Sequence, residues 1–449
     1  MADVRWIGGA AAVAQVDDIT PGGTIEVGDI FILTVTGENA DTTTVTFTAT
    51  ATTVANVTAG LTAAWNASTH YLCTPITAAD VTTKLTLTAD SAGVPFYVAA
   101  TTTEAGGGAA DDQTIVRSSG TATSGPYDFA TALNWDTGVV PGASALQSII
   151  IEGATILYGL NRTAAAEAPY YVEINDSQIS QNPSRGRDPA YLYWDDAANI
   201  VINNYYGPGS PTYASPMFIK TTASTPTITV YNTGTNSDTD LPAVWLYTTD
   251  ANAIINVLSG KVGIGYEEKY AAGNVNVATL NVSSGAYVYI GTATTTTINN
   301  NGGTVVRNNS GEYMATYRQT GGTFSGYGAA TTTIISGGTY DAIHDSDTSS
   351  CVFTVNSGSV TIKDGGAYTG LVDSLILNGG YVYYNAGGTV TLATVLGGTL
   401  DMTACAKTNT ITTLKLDAPG VFKYNPAQTT LTNKIQPSST NKVITYAAA

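Results

Sequence analysis

A Gly-Gly-Thr refrain between residues 299 and 401 constrains this chain more than any other feature. It reads Asn301-Gly302-Gly303-Thr304, Thr320-Gly321-Gly322-Thr323, Ser336-Gly337-Gly338-Thr339, Ser357-Gly358-Ser359, Asn378-Gly379-Gly380-Tyr381 and Leu396-Gly397-Gly398-Thr399. Measured at Gly302, Gly321, Gly337, Gly358, Gly379 and Gly397, the intervals are 19, 16, 21, 21 and 18 residues. Each copy follows or opens a short strand-forming run such as Thr333-Ile334-Ile335. Glycine supplies the positive-φ corner that a β-carbon penalises, and Thr, Val and Tyr then favour extended backbone. A corner at this spacing with strands between is the pattern of stacked β-solenoid coils. No titratable group recurs in phase with the refrain, so it specifies a scaffold rather than a ligand signature.

Composition agrees with an all-β chain. Charged residues are only 11% of the 449, and Tyr outnumbers Phe 27 to 8, which suits half-exposed strand faces. The formal charge of −17 repels phosphate backbones and anionic lipid, which argues against nucleic acid and membrane surfaces as partners. No apolar run approaches the roughly 20 residues of a membrane span, so membrane insertion is not expected. The first 15 residues have no basic n-region, and no secretory signal is read there. Cys73, Cys351 and Cys405 are odd in number and far apart, as small buried hydrophobes are; a Cys351–Cys405 bridge is the alternative.

The organisation expected is mainly β: a single-stranded parallel β-helix, or β-solenoid, preceded by a small α+β N-terminal domain. That domain takes residues 1–118, with strands over Ile25–Val35 and Val45–Ala49. A helix follows over Thr53–Ala67, with Val54, Val57, Leu61, Ala64 and Trp65 on one face and Thr52 or Thr53 as N-cap. Strands at Lys84–Ala89, Phe96–Thr101 and Gln113–Arg117 complete a β-β-α-β-β(-β) order. Residues 119–147 are expected as a linker, Ser118 to Pro126, followed by an aromatic solenoid cap around Trp135. The solenoid spans 148–424, with irregular, insertion-bearing coils to about 252, and 425–449 form a C-terminal cap or oligomer contact.

Two passages carry a resemblance. Thr52-Thr53-Val54-Ala55-Asn56-Val57-Thr58-Ala59-Gly60-Leu61 through Asn66, with the Thr-rich hairpin before it, resembles a small module recurring in phage and prophage structural proteins. Asn134-Trp135-Asp136-Thr137-Gly138-Val139-Val140-Pro141-Gly142 resembles a passage of many phage and bacterial-surface β-helix proteins. The resemblance implies a virion-associated β-helical protein, a capsid decoration or a tail spike or fibre; with no export signal read and no catalytic histidines to assign, the leading expectation is a non-enzymatic role with the N-terminal module as anchor. Its expected partners are capsid or tail proteins and two further copies in a homotrimer, with assembly in the host cytoplasm and exposure on the particle. A surface adhesin binding glycans is the alternative, and a polysaccharide lyase or glycosidase a further one.

Chemistry-bearing residues are sparse. With only His70 and His344, a His-rich metal site is excluded and a Ser-His-Asp triad has few candidate bases. No catalytic residue, metal ligand or cofactor is assigned. Weak calcium candidates are the acid pairs Asp111-Asp112, Asp195-Asp196, Asp238–Asp240 and Asp345–Asp347. Glu267-Glu268 is the one adjacent Glu pair, and neighbours in a strand face opposite ways. The candidate interaction surface is aromatic: Tyr191, Tyr193, Trp194, Tyr205, Tyr206, Tyr381 and Tyr383, with the insertion-rich 182–216 region as its projecting part.

Overall fold

A computed structural model describes residues 2–36, 42–105, 112–129, 131–141, 147–158, 166–167, 171–181, 192–194, 199–203, 217–221, 223–233, 242–265, 275–308, 314–328, 330–344, 351–364, 372–436 and 442–445. Strands account for 63% of the chain, and the principal architecture is a parallel β-solenoid of about ten turns. The chain divides into two compact units, one built mainly from Met1–Trp194 and the other mainly from Leu241–Ala449.

The N-terminal domain is mostly β rather than α+β. Its four-stranded sheet has the order Ile76–Asp80, Leu85–Ala89, Val16–Gly23, Gln113–Thr121, and its three-stranded sheet the order Thr42–Thr48, Ile30–Thr36, Tyr97–Thr103. All pairings within them are antiparallel. An α-helix spans Val54–Asn66 and buries Val57, Thr58, Leu61 and Trp65; the Thr53 hydroxyl caps it by accepting from Asn56 N. Trp65 Nε1 donates to Ile76 O at 2.9 Å. A β-carbon on Gly60 would collide with the Phe47 ring, so the small residue lets the helix lie on the sheet. The strand Val16–Gly23 ran against local propensity, with Asp17, Asp18 and Pro21 in it. Packing overrides this: buried Asp17 accepts from Arg117 Nε at 2.7 Å, and Pro21 lies beyond the Val16–Ile19 stretch that pairs with Leu85–Thr88.

This domain is an insertion in the solenoid's first turn. Ala2–Arg5 pairs in parallel with Gln147–Ile150, so the N-terminal strand is itself a solenoid rung. The chain then leaves for the domain and returns beside itself, with Val13 bridging Ser124. Ser118–Thr121 were expected as linker; they instead lengthen the Gln113–Thr121 strand against Val16–Ile19. Buried Thr123 donates its hydroxyl to Val13 O at 3.0 Å, so the two crossings are clasped together. The outer edge of Ala2–Arg5 is covered as well. Arg5 N donates to Asp136 Oδ1 and Asp136 N to Arg5 O, each at 3.0 Å. The Trp135 ring meets Trp6 and Phe129 edge-on, both at 5.1 Å, and buried Asn134 accepts from Ala10 N at 2.9 Å.

Beyond residue 199 the interior is built of columns. Ile200, Ile228, Ile255, Leu280 and Ile298 stack in register. The same column continues through Tyr317, Thr333, Phe353, Leu375, Ala393 and Leu414. Every one of these side chains is essentially fully buried. Successive rungs lie about 4.8 Å apart, so each apolar side chain covers the one before it.

The refrain turns out to bend strands rather than separate them in the middle coils. Ala293–Arg307, Met314–Tyr327, Thr332–His344 and Val352–Asp364 run through it, whereas later coils break there, between Ser374–Leu377 and Tyr381–Asn385. Gly322, Gly338, Gly358, Gly380 and Gly398 have φ of +75°, +75°, +95°, +84° and +71°. Each also lies against the carbonyl of a glycine in the preceding coil, Gly303, Gly322, Gly338, Gly358 and Gly380 respectively, where a β-carbon would collide. Positive φ and a stacked neighbour therefore both demand glycine. We expect Gly338→Ala to lower stability by about 2–4 kcal/mol, from left-handed strain plus displaced backbone. Gly285, at φ +86° with nothing near its missing β-carbon, should lose only about 1–2 kcal/mol as Gly285→Ala. Denaturant unfolding followed by circular dichroism makes the comparison, and equal losses would refute the stacking explanation.

Candidate interaction surface

Alternation along Tyr381–Asn385 sends Tyr381 and Tyr383 outward and leaves Tyr384 inside at 1% exposure. Register places Tyr383 between Thr361 and Asp401, and Asp401 beside Lys423. The outward face thus carries Asp341, Lys363, Tyr381, Tyr383, Asp401 and Lys423 on neighbouring rungs. Lys363 Nζ lies 2.7 Å from Asp341 Oδ1. Tyr381, 39% exposed, donates its hydroxyl to Asp401 Oδ2 at 2.7 Å. The other carboxylate oxygen accepts from Thr403 N at 3.1 Å and from the Thr403 hydroxyl at 2.7 Å, with Lys423 Nζ at 3.8 Å from Oδ2. Burial alone would raise the Asp401 pKa; the Thr403 and Tyr381 donors with Lys423 outweigh it and hold the carboxyl below its ordinary value. The result is a buried anion, at 7% exposure and held by three internal donors, beside a partly exposed ring.

The other aromatic candidates are placed differently. Tyr193 and Trp194 lie in Leu192–Trp194, paired in parallel with Ala166 and Glu167. Tyr191, Tyr205 and Tyr206 lie outside the described residues, as do Glu267, Glu268, Asp111, Asp195, Asp196, Asp238, Asp240, Asp345 and Asp347. Further aromatic and cationic residues not singled out from sequence lie on other rungs, where Tyr287 and Tyr289 are half-buried and Trp245 is buried at 2% exposure. Trp245 packs over Gly263 and meets Tyr289 at 5.7 Å, and Lys261 Nζ sits 4.8 Å from the Tyr287 ring centroid. The alternating Tyr287 and Tyr289 were a usable signal; the Trp245–Gly263 contact, between residues 18 positions apart, was not.

Elsewhere the reactive groups serve packing. His70 stacks on Tyr71 at 4.8 Å and accepts from Leu72 N at Nδ1, which makes it a local loop contact. His344 ends a strand opposite Asp364. All three cysteines are buried and free, so the alternative Cys351–Cys405 bridge is not formed. Burial pushes the Cys351 thiol up to about 12, against smaller opposing hydrogen bonds from Ala330 and Thr333. Glu26, Asp29 and Glu104 bring one oxygen each within 4.8 Å of one another. Asp29 already accepts from Glu26 N at 2.7 Å and Ala105 N at 3.3 Å, which accounts for its burial.

Inside the solenoid, polar side chains satisfy the glycine bends. Buried Asn300 accepts from Gly303 N at 2.9 Å. Buried Gln319 donates to Gly337 O at 2.9 Å and Thr339 O at 3.1 Å, and accepts from the Tyr317 hydroxyl at 2.7 Å. Burial raises the pKa of both Tyr317 and Tyr340, so they stay neutral donors.

Comparison with protein-family models, with curated proteins and with solved structures finds no match to this chain.

Two outcomes follow from this geometry. Asp401 titrates lower folded than unfolded, so its contribution is complete above its ordinary value of 3.8 and is lost as pH falls through the folded value. Tyr381→Phe should cost about 0.5–1 kcal/mol and raise the pH midpoint of acid unfolding, and an unchanged midpoint would show that the hydroxyl does not hold the anion. The native protein should leave all three thiols unreactive toward a disulfide reagent until denatured; rapid native labelling at Cys351 would contradict its burial.

Proposed function

We propose that this chain is a non-enzymatic structural protein of a phage-like virion, a capsid decoration or a tail spike or fibre. In this reading the N-terminal β domain is the anchor and the solenoid is the exposed stiff element. The observation that supports it most is the double crossing at Val13 and Ser124. An anchor on one flexible tether lets the attached body swing freely. Here the anchor enters and leaves through paired strands, a buried Thr123 contact and a capped first rung, which suits load transfer from particle to solenoid. The buried columns suit the same role, since each rung is hydrogen-bonded to its neighbours and covered by them. The phage-module likeness of the 52–66 helix and the 134–142 passage provides the virion context.

Phage-like particles purified from a culture encoding the chain should contain it in fixed stoichiometry by mass spectrometry. Antibody labelling in electron microscopy should mark it on the shell or the tail. Its absence from intact particles would falsify the assignment.

A second reading, glycan adhesion, draws on the exposed Tyr381 ring held beside Asp401. Binding on a glycan array that disappears with Tyr381→Ala, in a protein of unchanged circular dichroism, would favour that role.

A further inference from the structure

Within the N-terminal domain, Thr42–Thr48 is the outer strand of the three-stranded sheet, paired on one side with Ile30–Thr36. Just past its end, Ala49 N donates to Asp29 O and Gly28 N to Ala49 O, each at 2.8 Å. Peptide groups alternate in direction along a strand, so those of Phe47, Val45 and Thr43 face Ile30–Thr36 as well, opposite Phe31, Leu33 and Val35. The N–H and C=O groups of Thr42, Thr44, Thr46 and Thr48 therefore point away from the sheet. All four of these residues are exposed. Among the described residues, no backbone or side-chain group bonds to them on that side.

The domain's other strand edges are managed. Along Ile76–Asp80, helix residue Asn66 donates its amide to Ala78 O at 3.0 Å and accepts from Ala78 N at 3.3 Å, as a neighbouring strand would. Gln113–Thr121 slips register at Gly120, where Val16 faces Thr121 and Asp17 faces Ser119. Its Arg117 guanidinium sits 5.4 Å from the Tyr97 ring centroid, which ties that strand to Tyr97–Thr103. The helix's second asparagine, Asn56, accepts from Thr50 N at 2.9 Å and Ala51 N at 3.1 Å, beyond the end of Thr42–Thr48. Thr42–Thr48 itself has no charge, no proline and no bulge, the usual devices that keep an edge from accepting another strand.

The strand's own sequence is the best match to this edge. Two copies turned about a two-fold axis at Val45 would place Thr44 opposite Thr46 and Thr42 opposite Thr48, each facing pair exchanging two backbone hydrogen bonds. Thr–Thr pairs would line the outer face, beside Ile32, Thr34, Ala99 and Thr101 of the same uncharged surface. Charge points the same way. Two chains of formal charge −17 repel one another, and a neutral edge lets them meet without bringing like charges face to face.

We propose that Thr42–Thr48 is a self-association edge, pairing antiparallel with the same strand of a second copy to make one continuous sheet across two N-terminal domains. The inference is independent of the virion assignment, since it concerns only what this strand accepts.

The test is the mass of the purified full-length protein by light scattering and sedimentation velocity across a concentration series. Thr44→Lys combined with Thr46→Lys sets like charges opposite each other in the proposed register, and at high concentration its mass should be about half that of the wild type. Thr44→Lys combined with Thr46→Glu sets opposite charges there instead and should keep the wild-type mass. Equal masses for the wild type and the double-lysine variant at every concentration would overturn the proposal. So would a lysine–glutamate variant that falls to the lower mass, since antiparallel pairing about Val45 requires those two positions to face. Unchanged circular dichroism qualifies each variant; should the double-lysine variant fail to fold, Thr46→Pro, which removes only an outward N–H, carries the same expectation.

Discussion

The structure depends on one repeated interaction: a side chain lying in register on the equivalent side chain one rung away. Parallel pairing at about 4.8 Å sets that distance, and it is short enough for each buried methyl or ring to shield its neighbour from water. Ile200, Ile228 and Ile255 are neighbours in space because their strands align residue for residue. Stabilisation of this kind is nearest-neighbour and additive along the stack, so the solenoid needs no single large core. It also tolerates clustered aromatics: Tyr317 and Phe324 of one coil and Tyr340 of the next pack with ring centroids 4.7–5.3 Å apart.

The glycine bends and the buried amides are two halves of one solution. A strand that turns sharply exposes peptide groups to the interior, and unpaired buried peptide groups are costly. Asn300 and Gln319 replace the Val or Ile of neighbouring rungs at the level where the bend begins; Asn300 accepts from an N–H of its own bend, and Gln319 donates to carbonyls in the bend of the next coil. Arg307 follows the same logic. It lies in the column of Ile264 and Ile290 and is followed by Gly326 and Ala342, whose small size leaves volume for its side chain. Its Nη1 donates to Tyr327 O at 3.2 Å.

Much of this was legible. The coil repeat, the mainly β composition and the 54–66 helix follow from spacing and periodicity that act within a few residues. The Val16–Gly23 strand was not legible, because Asp17, Asp18 and Pro21 argue locally for a turn and only Arg117, far along the chain, reverses that. The stretch after Arg117 misled for a related reason. A run of Ser, Gly and Thr has no apolar anchor of its own, yet backbone pairing with Asp17 and Asp18 orders Ser118 and Ser119. The candidate surface was half legible: alternation separates Tyr383 from Tyr384, but the Tyr381–Asp401–Lys423 grouping joins rungs about 20 residues apart.

By itself the sequence determined that this chain stacks short strands through glycine corners, and that it spends few residues on charge or histidine chemistry. Those properties are local, since each corner and each alternating run states its own preference. Only the tertiary structure decided which residues share a column and that the chain's first strand is a solenoid rung. It likewise decided that Thr42–Thr48 stands at the edge of its sheet. Rung-to-rung register depends on the length of every intervening bend and insertion, and that sum cannot be read from any one of them.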